Sequence, residues 1–132
     1  MARLATIGAG DGRPHIVPIT FALLEAAPDV IVSAIDHKPK RTRALRRLAN
    51  IAADPRVSLL ADHYEEDWAE LWWARADGAA RVVDVDDEPA LRAAALAALA
   101  ARYDPYRERP PEGALIVVEV ERWSGWSASG DQ

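Results

Sequence analysis

The sequence predicts a mainly β protein, a small antiparallel barrel with two helices outside it. Three observations carry this. About seven short runs read as strands, against two that read as helices. Strands and helices do not alternate regularly, as a doubly wound parallel sheet requires. The chain has 132 residues, enough for one domain with one real core. Closing such a sheet removes its exposed edges.

The elements follow in order. Arg3–Ile7 is short and apolar and ends in Gly8-Ala-Gly-Asp-Gly12. Pro14–Phe21, rich in β-branched residues, comes next, so the pair reads as a hairpin. Pro18 inside the second run predicts an edge position or a bulge, because proline cannot donate to a ladder. Val30–Ala34 is the third strand, Val57–Asp62 the fourth and Trp68–Arg75 the fifth. Ala79–Asp84 is the sixth, joined to the fifth through Ala76-Asp77-Gly78 as a second hairpin turn. Leu115–Arg122 alternates at its end, one face dry and one wet. The first helix runs from about Pro39 to Ala52, with proline at a favoured first position and Leu45, Leu48 and Ala52 on one apolar face. The second runs from about Pro89 to Tyr103, opened by acids that suit the helix dipole and closed by Asp104-Pro105. Residues 1–132 read as a single domain, with a flexible tail from about 124.

Composition excludes several classes. The chain has no cysteine, which removes disulfide frameworks, thiolate metal sites and thiol nucleophiles. A net charge of −5 opposes nucleic-acid binding. No apolar run of about 18 residues exists to span a membrane, and the N-terminus lacks a signal-peptide core. A cytoplasmic protein is expected. His15, His37 and His63 lack metal-ligand spacing. Gly8-x-Gly-x-Gly12 is turn chemistry, since a strand and not a helix follows it. Asp62, Glu65, Glu66, Asp67 and Glu70 read as a solvated loop, and no nucleophile–base pair emerges, so no catalytic side chain is named.

The informative stretch is basic. Residues 38–47 hold Lys38, Lys40, Arg41, Arg43, Arg46 and Arg47, six of the sixteen basic residues, with no acid among them. Lys38, Lys40 and Arg41 fall where the first helix begins. Free N–H groups and the positive dipole end are already there, and a cation at that end costs about 0.3–1 kcal/mol. A bound phosphate offsets that repulsion and uses both charge and N–H groups, with Thr42 adding a hydroxyl. Arg43, Arg46 and Arg47 read first as a solvated helix face. Tyr64, Trp68, Trp72 and Trp73 form a second signal. Adjacent in a strand, Trp72 and Trp73 point to opposite faces, one toward the core and one into an outer groove or a partner. A phosphate cradle and aromatic walls without a catalytic dyad argue for a cofactor that brings its own reactivity.

The ordered series Gly12–Phe21, Asp29–Leu45, Asn50–Tyr64 and Trp68…Trp72-Trp73…Asp77-Gly78 resembles the pyridoxamine 5'-phosphate oxidase-like split barrels, specifically the actinobacterial branch of F420-dependent enzymes. The resemblance implies an FMN-binding type of split barrel with six to seven strands. It implies a homodimer with cofactor sites at the subunit interface. The phosphate loop maps to Ser33 through Thr42, including Ala34, Ile35, Lys38, Lys40, Arg41 and Thr42. The strand edge Val17, Pro18, Ile19 and Thr20 lies against the ring, and Trp73 completes the pocket. Flavin mononucleotide oxidases of the family usually carry an arginine near Val17, whereas this chain has Val17-Pro18, which suits the deazaflavin branch. A helix before the first strand is also common there, so a missing N-terminal segment is expected. The implied function is hydride transfer between coenzyme F420 and an electron-poor small-molecule acceptor. Arg43, Arg46 or Arg47 would meet the coenzyme's anionic tail. An FMN-dependent oxidase or reductase and a non-catalytic flavin or deazaflavin carrier are the alternatives.

Overall fold

The computed structural model of the chain describes residues 1–35 and 41–129, with backbone alone for residues 41–45. It is mainly β, as expected. Seven antiparallel strands form one curled sheet: β1 (Ala2–Ile7), β2 (Pro14–Ile19), β3 (Ala22–Leu23), β4 (Val30–Ala34), β5 (Arg56–His63), β6 (Trp72–Val83) and β7 (Leu115–Ser127). Their order is β2-β1-β5-β6-β7-β4-β3. Helix α1 (Arg41–Ala53) joins β4 to β5, and α2 (Pro89–Arg102) with the short α3 (Asp104–Glu108) joins β6 to β7.

The β1–β2 hairpin follows from its glycines. Gly10 and Gly12 take positive φ of 93° and 67°, a region open to glycine without steric cost. Gly12 N–H donates to Gly8 O at 2.9 Å, closing the turn. β2 lies at a sheet edge, where Pro18 pairs with Arg3 without needing to donate outward. The second run stops two residues earlier than expected. Phe21 N–H donates to the Tyr103 hydroxyl at 3.1 Å, and that hydroxyl donates back to Phe21 O at 3.2 Å. One side chain thus takes both backbone groups out of the ladder, and β3 begins beyond them.

Two departures from the sequence reading matter most. The stretch Ala76-Asp77-Gly78 is not a hairpin turn. β6 runs unbroken from Trp72 to Val83, paired with β5 on one side and β7 on the other. The register with β7 shifts between Asp77 and Gly78, a bulge in mid-strand. Trp68 belongs to a short 3-10 turn, Trp68–Glu70, capped by Asp67 through Ala69 N–H, so the strand starts at Trp72. The merged strand and the unforeseen β3 leave the count at seven. β7 extends to Ser127, so pairing continues into the stretch read as tail.

Apolar residues divide between two faces. Inside the curl, Leu4, Ile19, Ile31, Val57, Leu59, Ile116 and Val118 pack with Ile51 of α1. Outside it, Val32, Val83, Leu115 and Val117 pack under Ala95 and Leu99 of α2. β4 and β7 are therefore covered on both faces, which explains the fully buried run Leu115–Val118. Asn50 fixes α1 to the first hairpin. Its Oδ1 accepts from Ala9 N–H at 2.8 Å, and its Nδ2 donates to Thr6 Oγ1 at 3.1 Å. No helix among the described residues is long and apolar enough to cross a membrane.

Candidate functional site

Where β2 ends, the sheet leaves a seam between β2 and β4. Helix α1 crosses near one wall and α3 near the other. The cleft between them measures about 270 Å³ and is lined by Pro18, Ile19, Thr20, Ala34, Arg47 and Tyr106, with Met1 at its side. Hydrogen bonds hold its walls. Ser33 Oγ donates to Thr20 O at 2.7 Å, and the Thr20 and Tyr106 hydroxyls share a bond of 2.9 Å. The first ties β4 to the end of β2. The second ties α3 to the same point.

Arg47 is the charged group of this cleft. Its side chain is half-buried, and its Nε is buried with no hydrogen-bond partner. Burial disfavours its charged form and lowers its pKa from the ordinary arginine value. Among the described residues no acid offsets this, and no salt bridge there reaches Arg47. Its neighbour Arg46 instead reaches Asp11 at 3.8 Å. A guanidinium stays protonated in proteins, so the cleft keeps a desolvated positive charge with a donor unspent. An unmade bond to a buried donor costs about 1–3 kcal/mol. An anion in the cleft recovers it.

The cleft gathers four of the residues expected from the sequence: Pro18, Ile19, Thr20 and Ala34. Ile19 faces the core with 6% exposure, so it lends the cleft its backbone side. Ser33 is buried just behind, its hydroxyl proton spent on Thr20. Val17 packs against the inner cluster and Ile35 belongs to it. Arg41 and Thr42 open α1, and their side chains are not described. Lys38 and Lys40 lie outside the described residues.

Met1, Arg47 and Tyr106 complete the lining. Arg47 had read as helix surface and, through the resemblance, as one of three arginines for the coenzyme's tail, although it directly precedes Leu48 and lies four before Ile51, both packed against the inner core. It therefore borders the buried stripe, and helical spacing alone carried that signal. Tyr106 had no signal, because Asp104-Pro105 read as a helix stop and instead opens α3.

Trp73 lies elsewhere in the chain. Trp72 and Trp73 do point to opposite faces. Trp73 lines a groove of about 480 Å³ on the outer face of β1, β2, β5 and β6, with Ile16, Leu60, Asp62 and Arg75. The Arg75 guanidinium sits 5.9 Å from its ring centroid, within cation–π range. Arg3 Nη1 bonds Asp62 Oδ1 at 2.8 Å along one side, and Ile16 stands 63% exposed. The groove and the cleft share no lining residue.

Beside the groove, Ser58 Oγ donates to Asp77 Oδ1 at 2.6 Å, Arg122 Nη2 donates to Oδ2 at 3.1 Å, and Arg75 pairs at 3.3 Å. The Ser58 bond first, then the arginines, hold the Asp77 carboxyl below the usual range. A depressed folded pKa gives stability above the unfolded value, lost as pH falls through the folded one. Ser58→Ala is therefore expected to raise the Asp77 pKa, read by NMR titration. Its melting temperature should fall short of the parent at pH 7, and the gap should shrink once both carboxyls are protonated. An unchanged Asp77 titration would refute this.

Among the described residues, no three His, Asp or Glu side chains gather as a metal site. Comparison with curated proteins gives no match. Similar solved structures include a conserved hypothetical protein of Mycobacterium tuberculosis, 22% identical with a TM-score of 0.72, covering 97% of this chain and 77% of that one. A heme binding protein of Mycobacterium smegmatis is 26% identical with a TM-score of 0.63, covering 98% of this chain and 50% of that one. An FAD binding protein of Mycobacterium smegmatis is 23% identical with a TM-score of 0.55, covering 95% and 82%. The chain thus spans about half the length of the heme binding protein. The family model described as pyridoxamine 5'-phosphate oxidase matches residues 1–127, the whole seven-stranded sheet and every residue of the cleft. With its seven-stranded antiparallel half-barrel, the chain belongs to the pyridoxamine 5'-phosphate oxidase family.

Proposed function

We propose that the protein is an oxidoreductase that holds a phosphate-bearing flavin-type cofactor, with deazaflavin coenzyme F420 as the form these residues favour. One observation carries the reading: the half-buried guanidinium of Arg47, its Nε unpartnered, in a cleft floored by Pro18 and Ala34. The donor set fits a phosphate group. Arg47 supplies charge and N–H donors, and the Thr20 and Tyr106 hydroxyls stand in the same cleft. Lys38, Lys40, Arg41 and Thr42 are assigned to the same anion from the sequence. The edge Val17-Pro18 carries no arginine, which favours the deazaflavin over flavin mononucleotide by the resemblance described above.

When bound, reduced F420 would supply a hydride to an electron-poor acceptor, with the balancing proton taken from water. The chain's own part is to bind and orient, and hydride transfer rewards position more than side-chain acid–base chemistry. At about 270 Å³ the cleft is small for a whole cofactor, because sites for ligands of that size run to about 300–1,000 Å³. We assign the remainder to a second copy of the chain in a homodimer, whose groove at Trp73 would supply the ring wall. Support comes from the exposed Ile16 and Trp73 lining an outer groove that this subunit's own cleft does not share.

Titration with oxidised F420, reduced F420 and flavin mononucleotide, followed by absorbance and fluorescence, tests the cofactor. Tighter binding of F420 is expected. Equal and weak binding of all three would overturn the cofactor reading. Sedimentation at micromolar concentration is expected to show a dimer, and a monomer throughout would overturn the shared site.

A further inference from the structure

The inner mouth of the barrel holds a second cavity that the cofactor reading does not use. It measures about 250 Å³ and shares no lining residue with the Arg47 cleft or the Trp73 groove. It lies toward the end of the strands where Ala2 opens β1 and Ala61 approaches the end of β5. At the other end, beside Thr6, the interior is filled by Asn50 and Ile51 of α1.

Its shape comes from small residues on the inner face. Ala74 of β6 pairs with Gly125 of β7, and Ala76 pairs with Trp123. Trp72 pairs with Ser127 one step further out. The smallest cross-strand pair in this row therefore stands between two tryptophans. Ala2 and Ala61 face it from β1 and β5. Leu59 and Ile31, each 3% exposed, form the floor. Protein interiors close-pack, and larger side chains at these alanines would fill the space. Trp72 and Trp123 stand at the rim, 43% and 47% exposed. The one polar atom of Trp123 is spent on Asp29, its Nε1 donating to Oδ1 at 2.8 Å. Every side chain of the lining is apolar.

We propose that this mouth is a binding site for a neutral aromatic molecule of about two rings. Barrel mouths are common ligand sites. The lining offers no charged side chain to an ionic ligand, and the flat rims of two indoles suit a ring. Size sets the class: an apolar cavity of about 150 Å³ takes benzene, so this one takes a bicyclic ring. The proposal does not depend on the cofactor reading, because the two sites share no residue.

Naphthalene is the probe, with naphthalene-1-sulfonate as its charged counterpart, followed by NMR on the full chain without added cofactor. Naphthalene is expected to shift the Ala61 and Ala74 amides and the Trp72 and Trp123 indole signals. The sulfonate is expected to bind at least tenfold more weakly. Ala74→Phe, at an exposed position in the cavity wall, is expected to weaken naphthalene binding at least tenfold without lowering the melting temperature. Ala61→Leu is the second filling variant and should act in the same direction. Shifts confined to Ile16 and Trp73, equal binding of the sulfonate, or unchanged affinity in both variants would overturn the site. Concentration-dependent broadening of the mouth signals with no naphthalene shift would also overturn it and assign the mouth to a second copy.

Discussion

Arg47→Met is expected to abolish most cofactor-phosphate affinity while leaving the protein as stable as before, or more so. The guanidinium is half-buried, and no carboxylate among the described residues faces it. Methionine replaces its stem at similar length and removes the unpaired donor. Exchanging a desolvated charge for an apolar side chain is often neutral or stabilising. A hydrogen bond to a charged group contributes about 1.5–3 kcal/mol, or about 10- to 150-fold in affinity at 1.4 kcal/mol per decade. Titration of F420 or inorganic phosphate against parent and variant reads the affinity, and a thermal melt reads the stability. Arg46→Met is the control. That side chain reaches Asp11 at 3.8 Å with more than half its surface exposed, so a small effect on both readouts is expected. A stability loss in Arg47→Met without an affinity loss would make the residue a packing element and refute its role.

Much of the fold was legible in the sequence, because patterning at short range produces it. Strands β1, β2, β4 and β5 sit within two residues of where their apolar runs predict. Glycine and proline punctuation fixed the first hairpin and the edge position of Pro18. What escaped depends on partners distant in sequence. Phe21 leaves the ladder because Tyr103, 82 residues away, takes its backbone groups. Asp77-Gly78 reads locally as a turn, and only the run of β7 alongside shows that glycine is needed within a strand. Pro18, Thr20 and Ala34 were expected at the site only through the family resemblance, which maps the β2 edge and the loop after β4 onto the cofactor. Arg47 was hidden among like charges, and only its helical spacing from Leu48 and Ile51 marks it as the arginine bordering the buried stripe. Tyr106 reaches the cleft on a helix that Asp104-Pro105 concealed.

Gly78→Val carries the largest expected loss of stability. Gly78 pairs with Val120 just past the register shift. A Cβ there would stand 2.2 Å from Glu119 O and 3.0 Å from the Glu119 carbonyl carbon and Val120 Cα. Those are backbone atoms held in the β6–β7 ladder, the longest pairing in the sheet, so no side chain can swing aside to make room. The backbone φ is not in the left-handed region, so the requirement for glycine is close approach and not turn geometry. Forcing extra atoms into a packed interior costs about 1–3 kcal/mol, and more where backbone must move. An effect of about 3 kcal/mol or above is therefore expected, or a melting-point loss of about 10 °C for a domain of this size. Ala79→Val, the next position along and half-buried, supplies the comparison. Valine suits a strand, so this variant should melt within a few degrees of the parent. If Gly78→Val melted as high as Ala79→Val, the bulge would be a flexible irregularity. A large gap between them shows that the two longest strands touch there, backbone on backbone, and that the glycine sets how closely the barrel wall closes.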